Sequence, residues 1–240
     1  MLERAEAKMR APAPGAFGSY LRAVGAVIWK DLTAELRSRE LLGAMLVFGL
    51  LVILIFNFAL ELDVRARQSV TAGVLWVTFA FAGTLGLNRA MAVERERGCL
   101  DGLLLAPVDR SALFFGKALG NLLFMLIVAA IILPVYSLLY NVNLFRPALA
   151  GVIVLGAIGY TTVGTLFSAM AVQARTRDIL LPILLFPVVL PLLIAAVRAT
   201  SSLLLGIPLT EIRGWFNLLI VYDLLFVAVA IMTFDYVVEE

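Results

Sequence analysis

Residues 94–107, Glu-Arg-Glu-Arg-Gly-Cys-Leu-Asp-Gly-Leu-Leu-Leu-Ala-Pro, gather the densest run of reactive side chains in the sequence: Glu94, Arg95, Glu96 and Arg97 in a row, then Asp101 and the sole cysteine, Cys99. Bond-making chemistry does not follow from them. The sequence has no histidine, no nucleophile spaced with a base, and no Gly-x-x-x-x-Gly-Lys-Ser/Thr loop to cradle phosphates, so it neither binds nor cleaves ATP. With one cysteine and no histidine, an internal disulfide and the usual zinc, copper and heme-iron ligand sets are missing too. The chemistry that remains is docking. A charge costs about 2.5 to 3.5 kcal/mol at mid-bilayer, so this run must face water. Leu100, Leu103, Leu104 and Leu105 would give a short helix, ended by Pro107, one apolar side. Two readings of that side stand: a surface for a partner, or an amphipathic loop on the lipid headgroups.

Water is scarce around the rest of the chain. Of 240 residues 62% are hydrophobic and 15% charged, with mean hydropathy +1.02, against an apolar content of about 45 to 50% in soluble domains. The composition predicts an all-α integral membrane protein. Six apolar runs are long enough to cross a core that takes about 20 helical residues: 41–60, 69–88, 118–140, 148–172, 179–197 and 215–235. None shows the ten-residue alternation of a membrane barrel. A net charge of +2, with its basic residues in short groups, argues against nucleic acid.

The basic residues set the topology. With the N-terminus inside, fourteen Lys and Arg fall on the inner side and five (Arg65, Arg67, Arg146, Arg198, Arg213) on the outer. The positive-inside rule then puts both termini and residues 94–107 in the cytoplasm. Before the first span, Leu21, Val24, Ile28, Leu32 and Leu36 recur at helical spacing, with Ser19 as N-cap and Trp29 suited to the water–lipid boundary. This predicts an amphipathic interfacial helix over 19–40, preceded by a flexible tail over 1–18.

Few polar residues interrupt the spans. Asn57, Thr71, Thr78, Thr84, Asn121, Tyr136, Thr161, Thr162, Thr165, Ser168 and Tyr222 read as interhelical hydrogen-bonding groups. Gly73, Gly83 and Gly86, and Gly151, Gly156, Gly159 and Gly164, read as close-packing surface. Asp223, inside the sixth run, needs a partner or a wet cavity. Pro182, Pro187 and Pro191 each remove a helix hydrogen bond, which predicts a bent or broken fifth span, a gate or only a kink. Ser201 to Trp215 reads as an external segment that can dip back to the membrane surface.

An interfacial helix, six spans and a cytoplasmic helix between spans two and three resemble the permease subunit of an ABC exporter of the elbow-helix type. Trp29-Lys30-Asp31-Leu32, Gly73-Val74-Leu75-Trp76, Leu87-Asn88-Arg89, Gly98 to Pro107, Lys117, Pro134 and Leu181-Pro182 through Pro191 sharpen the likeness to the heme exporter protein B (CcmB) family. The chain departs from the family pattern at Glu94-Arg95-Glu96-Arg97, at Gly120-Asn121 and at Gly159 to Thr165. The resemblance implies a non-catalytic membrane subunit of the ABC complex for cytochrome c maturation, in the inner membrane of a prokaryote. ATP would be bound by a cytoplasmic ATPase partner, and heme would be the cargo. A second copy of the chain, other cytochrome c maturation membrane subunits and the bilayer would be its further partners.

Under that resemblance Glu94, Glu96, Arg97 and Asp101 supply polar contacts to the ATPase. Leu100, Leu103 and Leu104 form the apolar anchor, and Gly98 and Pro107 belong to the same coupling segment, 94–107, which Pro107 ends. Arg175, Arg177 and Asp178 form a smaller second contact, and Pro182, Pro187 and Pro191 a gate. With no histidine available, a heme contact would use Met, Tyr or apolar packing. Two other classes remain open: an ABC permease for another amphipathic cargo such as a lipid or drug, and an intramembrane enzyme or self-sufficient transporter. The second is disfavoured by the near absence of ionisable residues in the spans.

Overall fold

The structure, a computed structural model, describes residues 16–59, 64–96, 110–171 and 177–239. Seven helices make up those residues: α1 (Ala16–Ser38), α2 (Glu40–Ala59), α3 (Val64–Glu96), α4 (Arg110–Tyr140), α5 (Pro147–Ala171), α6 (Arg177–Leu204) and α7 (Leu209–Glu239). Helices α2 to α7 are each long and apolar enough to cross a membrane. The protein is therefore a multi-pass membrane protein, and its backbone polar groups are satisfied within the helices, as hydrocarbon demands. Consecutive spans alternate in direction. One face of the bundle, called here the N-terminal face, gathers α1, the end of α3, the start of α4 and the end of α7.

Several helices outrun the apolar runs. Helix α3 has 33 residues where its apolar stretch covers Val70–Ala90, and α4 starts at Arg110 rather than at residue 118. The expected external segment 201–215 shrinks to a turn: α6 continues to Leu204, Gly206 adopts φ 77°, and α7 begins at Leu209. Continuing a helix satisfies backbone groups that a loop would leave to water, so the ends extend past the hydrocarbon. The fifth span is likewise unbroken, with Pro182, Pro187 and Pro191 inside one continuous helix. Expectations for the tail before Ala16, the coupling segment from Arg97 to Asp109 and the turn at 172–176 lie outside the described residues.

Helices α3 and α5 form the centre. In each, 72% of the apolar window is buried, against 22 to 33% in the other four spans. Their contact depends on glycine. The Trp76 ring of α3 lies directly on Gly156 of α5, and Leu87 on Gly164. A Cβ at Gly83 would fall 2.7 Å from the Tyr160 ring. Gly73 and Gly151, expected to serve the same purpose, do not: Gly73 faces open space and Gly151 has only an ordinary contact with Phe216.

Polar side chains cross between helices at several levels. Trp76 donates its indole N–H to Thr200 Oγ1 of α6 at 3.0 Å, and Asn121 of α4 donates to Thr165 of α5 at 3.0 Å. The Tyr136 hydroxyl donates to the Thr71 carbonyl at 2.9 Å. Tyr160, Thr84 and the Ala80 carbonyl share two hydroxyl protons among three buried oxygens. Thr78, Thr161 and Ser168 instead bond back to carbonyls of their own helices, which satisfies them without linking spans.

The fit at Gly156 predicts a sharp asymmetry between glycines. Gly156→Ala forces the Trp76 ring off α5 and should cost about 1 to 3 kcal/mol as an overpacked core does, seen as a lowered melting temperature in detergent. Gly73→Ala should leave the melting temperature unchanged.

Candidate functional site

The N-terminal face carries the charged residues that the bundle itself organises. Helix α1 runs along the first turns of α4, with contacts that advance together along both chains: Ser111 donates to the Tyr20 hydroxyl at 3.3 Å, Val27 packs on Gly116, and Asp31 meets Lys117 and Gly120. A Cβ at Gly116 would lie 2.7 Å from Val27, so glycine sets how closely the two helices approach. Lys117 is only 8% exposed and donates to both oxygens of Asp31, at 3.1 and 2.9 Å. Lys30 also reaches Asp31, at 3.3 Å. Desolvation offsets much of what such a pair contributes, and Lys30 stays beside Asp31 if Lys117 is removed.

One turn further, Glu35 fixes the junction between α1 and the first span. Its carboxylate accepts from the N–H of Leu42 at 2.8 Å and of Leu41 at 3.4 Å, capping α2 from outside with a negative charge at the positive end of the helix dipole. Arg39, at φ 55°, turns the chain so that this cap can form. Glu40 then pairs with Arg89 on α3. Both ends of that pair are exposed, so it contributes about 0 to 1 kcal/mol.

This corrects part of the face assigned to α1. The expected apolar stripe was Leu21, Val24, Ile28, Leu32 and Leu36. The expectation holds in part: Val24 is buried, and Ile28 and Leu32 are half-buried, Leu32 against the core, but Val27, Glu35 and Asp31 share that face, while Leu21, Leu36 and Trp29 are exposed on the bundle, Trp29 by 71%. Two acids can lie on the buried face because each has donors waiting there. The signal was present as Lys117, a lone cation at the edge of an apolar run, and as the i, i+4 spacing of Asp31 and Glu35.

The second feature lies inside the membrane. On α6, Pro187 and Pro191 are exposed and Pro182 is half-buried. The Tyr222 hydroxyl of α7 donates to the Val188 carbonyl within this proline stretch, at 3.0 Å. Its neighbour Asp223 is 7% exposed, lies against Gly159 of α5, and has a partner for neither carboxylate oxygen among the described residues. The expected partner for Asp223 is thus not supplied by the described residues of α5, α6 or α7.

Of the residues expected to couple to a partner, Glu94 and Glu96 lie in the last turn of α3, and Arg177 and Asp178 open α6. Arg97, Gly98, Leu100, Asp101, Leu103, Leu104, Pro107 and Arg175 lie outside the described residues. Among the described residues no group of three or more His, Cys, Asp or Glu is placed to hold a metal ion.

The CcmB protein family matches residues 22–238, from α1 to the end of α7. The chain belongs to the CcmB family. Curated relatives of this CcmB-family chain are named heme exporter protein B: that of Rhodobacter capsulatus is 28% identical over 79% of this chain and 89% of its own length. That of Paracoccus denitrificans is 29% identical over 72% and 80%, and that of Pseudomonas aeruginosa 26% identical over 68% and 74%. The CcmB match thus takes in α1 together with all six spans.

The Glu35 cap carries a prediction. Glu35→Ala should destabilise the protein by about 1 to 2 kcal/mol, as loss of a charged helix cap does. Glu35→Gln, whose amide oxygen still accepts from Leu42, should recover most of it. Thermal unfolding of the two variants in detergent measures the difference.

Proposed function

We propose that this chain is the membrane permease subunit of the heme exporter of cytochrome c maturation, an ATP-driven complex whose ATPase is a separate chain. The observation that carries the reading is the CcmB match over residues 22–238 on a six-span bundle with an added N-terminal helix. The sequence offers no phosphate loop, so the driving energy comes from a partner on the N-terminal face, which the excess of Lys and Arg makes cytoplasmic. On this reading the protein sits in the inner membrane with both termini inside.

The partner docks at residues 94–107, between α3 and α4. Leu100, Leu103 and Leu104 contribute about 1.5 to 3 kcal/mol for each side chain fully buried, whereas Glu94, Glu96 or Arg97 in exposed pairs add about 0.2 to 1 kcal/mol each. The leucines hold and the charges set register. Closure of the ATPase then moves α3 and α4. The proline-bearing α6 of this chain, beside a second copy, is the element that yields. Heme passes as cargo, with no cofactor resident in the chain.

Two experiments test this. Leu103→Ser with Leu104→Ser should release the ATPase from membranes in which this protein stays inserted, and a reporter fused after Glu240 should read as cytoplasmic. Full retention of the ATPase by the double variant would leave residues 94–107 as a lipid-facing loop. Pro187→Ala should leave insertion and assembly normal while changing ATPase turnover, because a helix hydrogen bond is restored at the gate. Expression and activity falling in proportion would make the prolines structural.

A further inference from the structure

We infer that Asp31 and Lys117 form the joint through which the helix leaving the coupling segment carries α1 with it, so that movement delivered at residues 94–107 also reaches the entry to the first span. Use of the joint in coupling rests on the function proposed above; its existence as a rigid connection does not.

Position is the first argument. Helices α3 and α4 flank residues 97–109, and each has an ion pair to the N-terminal elements: Arg89 of α3 to Glu40 at the start of α2, and Lys117 of α4 to Asp31 of α1. The two differ in kind. The Arg89–Glu40 pair is 45% and 58% exposed by side chain and yields to water and salt. The Lys117–Asp31 pair is 10% and 14% exposed by side chain, so water and salt screen it far less. Backbone proximity makes the α4 contact stiff as well: Gly116 brings Val27 against the α4 main chain, and Asp31 lies beside Gly120 one turn on.

Continuity is the second. Four residues after Asp31, Glu35 holds the N–H groups of Leu41 and Leu42 in the first turn of the span α2. A displacement of Lys117 is therefore passed to Asp31, along one helical turn to Glu35, and from Glu35 to the end of α2. All the links are charge-assisted hydrogen bonds with little freedom to stretch, or a single turn of helix. Asp31 and Lys117 act as positioning residues, through Glu35 and the start of α2.

The test uses the full chain in nanodiscs with Cys99→Ser, which removes the sole cysteine. Nitroxide labels go on two exposed positions, Leu21 of α1 and Leu119 of α4. The label distance should be narrow, should broaden in Lys117→Gln and in Asp31→Asn, and should narrow again in the charge swap Asp31→Lys with Lys117→Asp. A broad native distribution, or one that neither neutral variant changes, overturns the joint, and this arm needs no ATPase. In membranes containing the ATPase, each neutral variant should keep the ATPase bound yet lower export per ATP several-fold, with the swap restoring it. Unchanged coupling beside broadened distances would show that the joint anchors α1 without transmitting anything. If the native chain binds no ATPase, the proposed function fails while the label distances still decide the joint.

Discussion

Hydrocarbon gives apolar helices no reason to prefer one another to lipid, so a bundle in it depends on fit. Here the fit is made where the Trp76 ring lies on the bare backbone of Gly156. Because the indole N–H must also be satisfied, the same residue reaches across to Thr200 and fixes α6 relative to both. The Tyr160–Thr84–Ala80 cluster extends the α3–α5 contact toward the N-terminal face, and the Asn121–Thr165 bond ties α4 to α5 there. The peripheral helices α2 and α7, with 22% of their apolar windows buried, then lie against an already assembled centre.

The N-terminal face follows the opposite logic. There the chain keeps charges close to the apolar bundle and makes each tolerable by supplying donors: two backbone N–H groups for Glu35, and Lys117 and Lys30 for Asp31. Asp223 shows what happens without them, a carboxyl held between spans with neither oxygen bonded among the described residues. A carboxylate in such a place is expensive, and Gly159 is the residue that makes room for it.

The number, order and approximate limits of the spans were legible in the sequence because crossing hydrocarbon takes a fixed length of apolar helix. Their overhangs were not, since helix continuation past Ala90 or before Ala118 is decided by backbone bonding rather than by hydropathy. Five of the seven glycines singled out, Gly83, Gly86, Gly156, Gly159 and Gly164, do sit at tight contacts, whereas Gly73 and Gly151 do not, because which side of a uniformly apolar helix turns inward leaves no periodic trace. The face of α1 was legible only in part, through Val24, Ile28 and Leu32, for a related reason. Hydrophobic periodicity treats Asp31 and Glu35 as solvent-facing, yet a paired acid can be buried. Lys117 carried the hint, and only a long-range contact, 86 residues apart, explains it.

The ends of α3 and α4 on the face away from α1 are held by the Tyr136 hydroxyl on the Thr71 carbonyl, and Tyr136 stacks on Tyr140 with ring centroids 4.1 Å apart. Pinned at that end, a 31-residue helix is a rod of about 46 Å at about 1.5 Å per residue. From Tyr136 back to Arg110 the arm is about 39 Å, so a tilt of about 10° around that bond would swing the far end by roughly 7 Å, while side chains near the tyrosines would shift by less than a bond length. The geometry thus gives any tilt of α4 about this bond its largest excursion at the end that follows residues 97–109 and its smallest at the tyrosine pin.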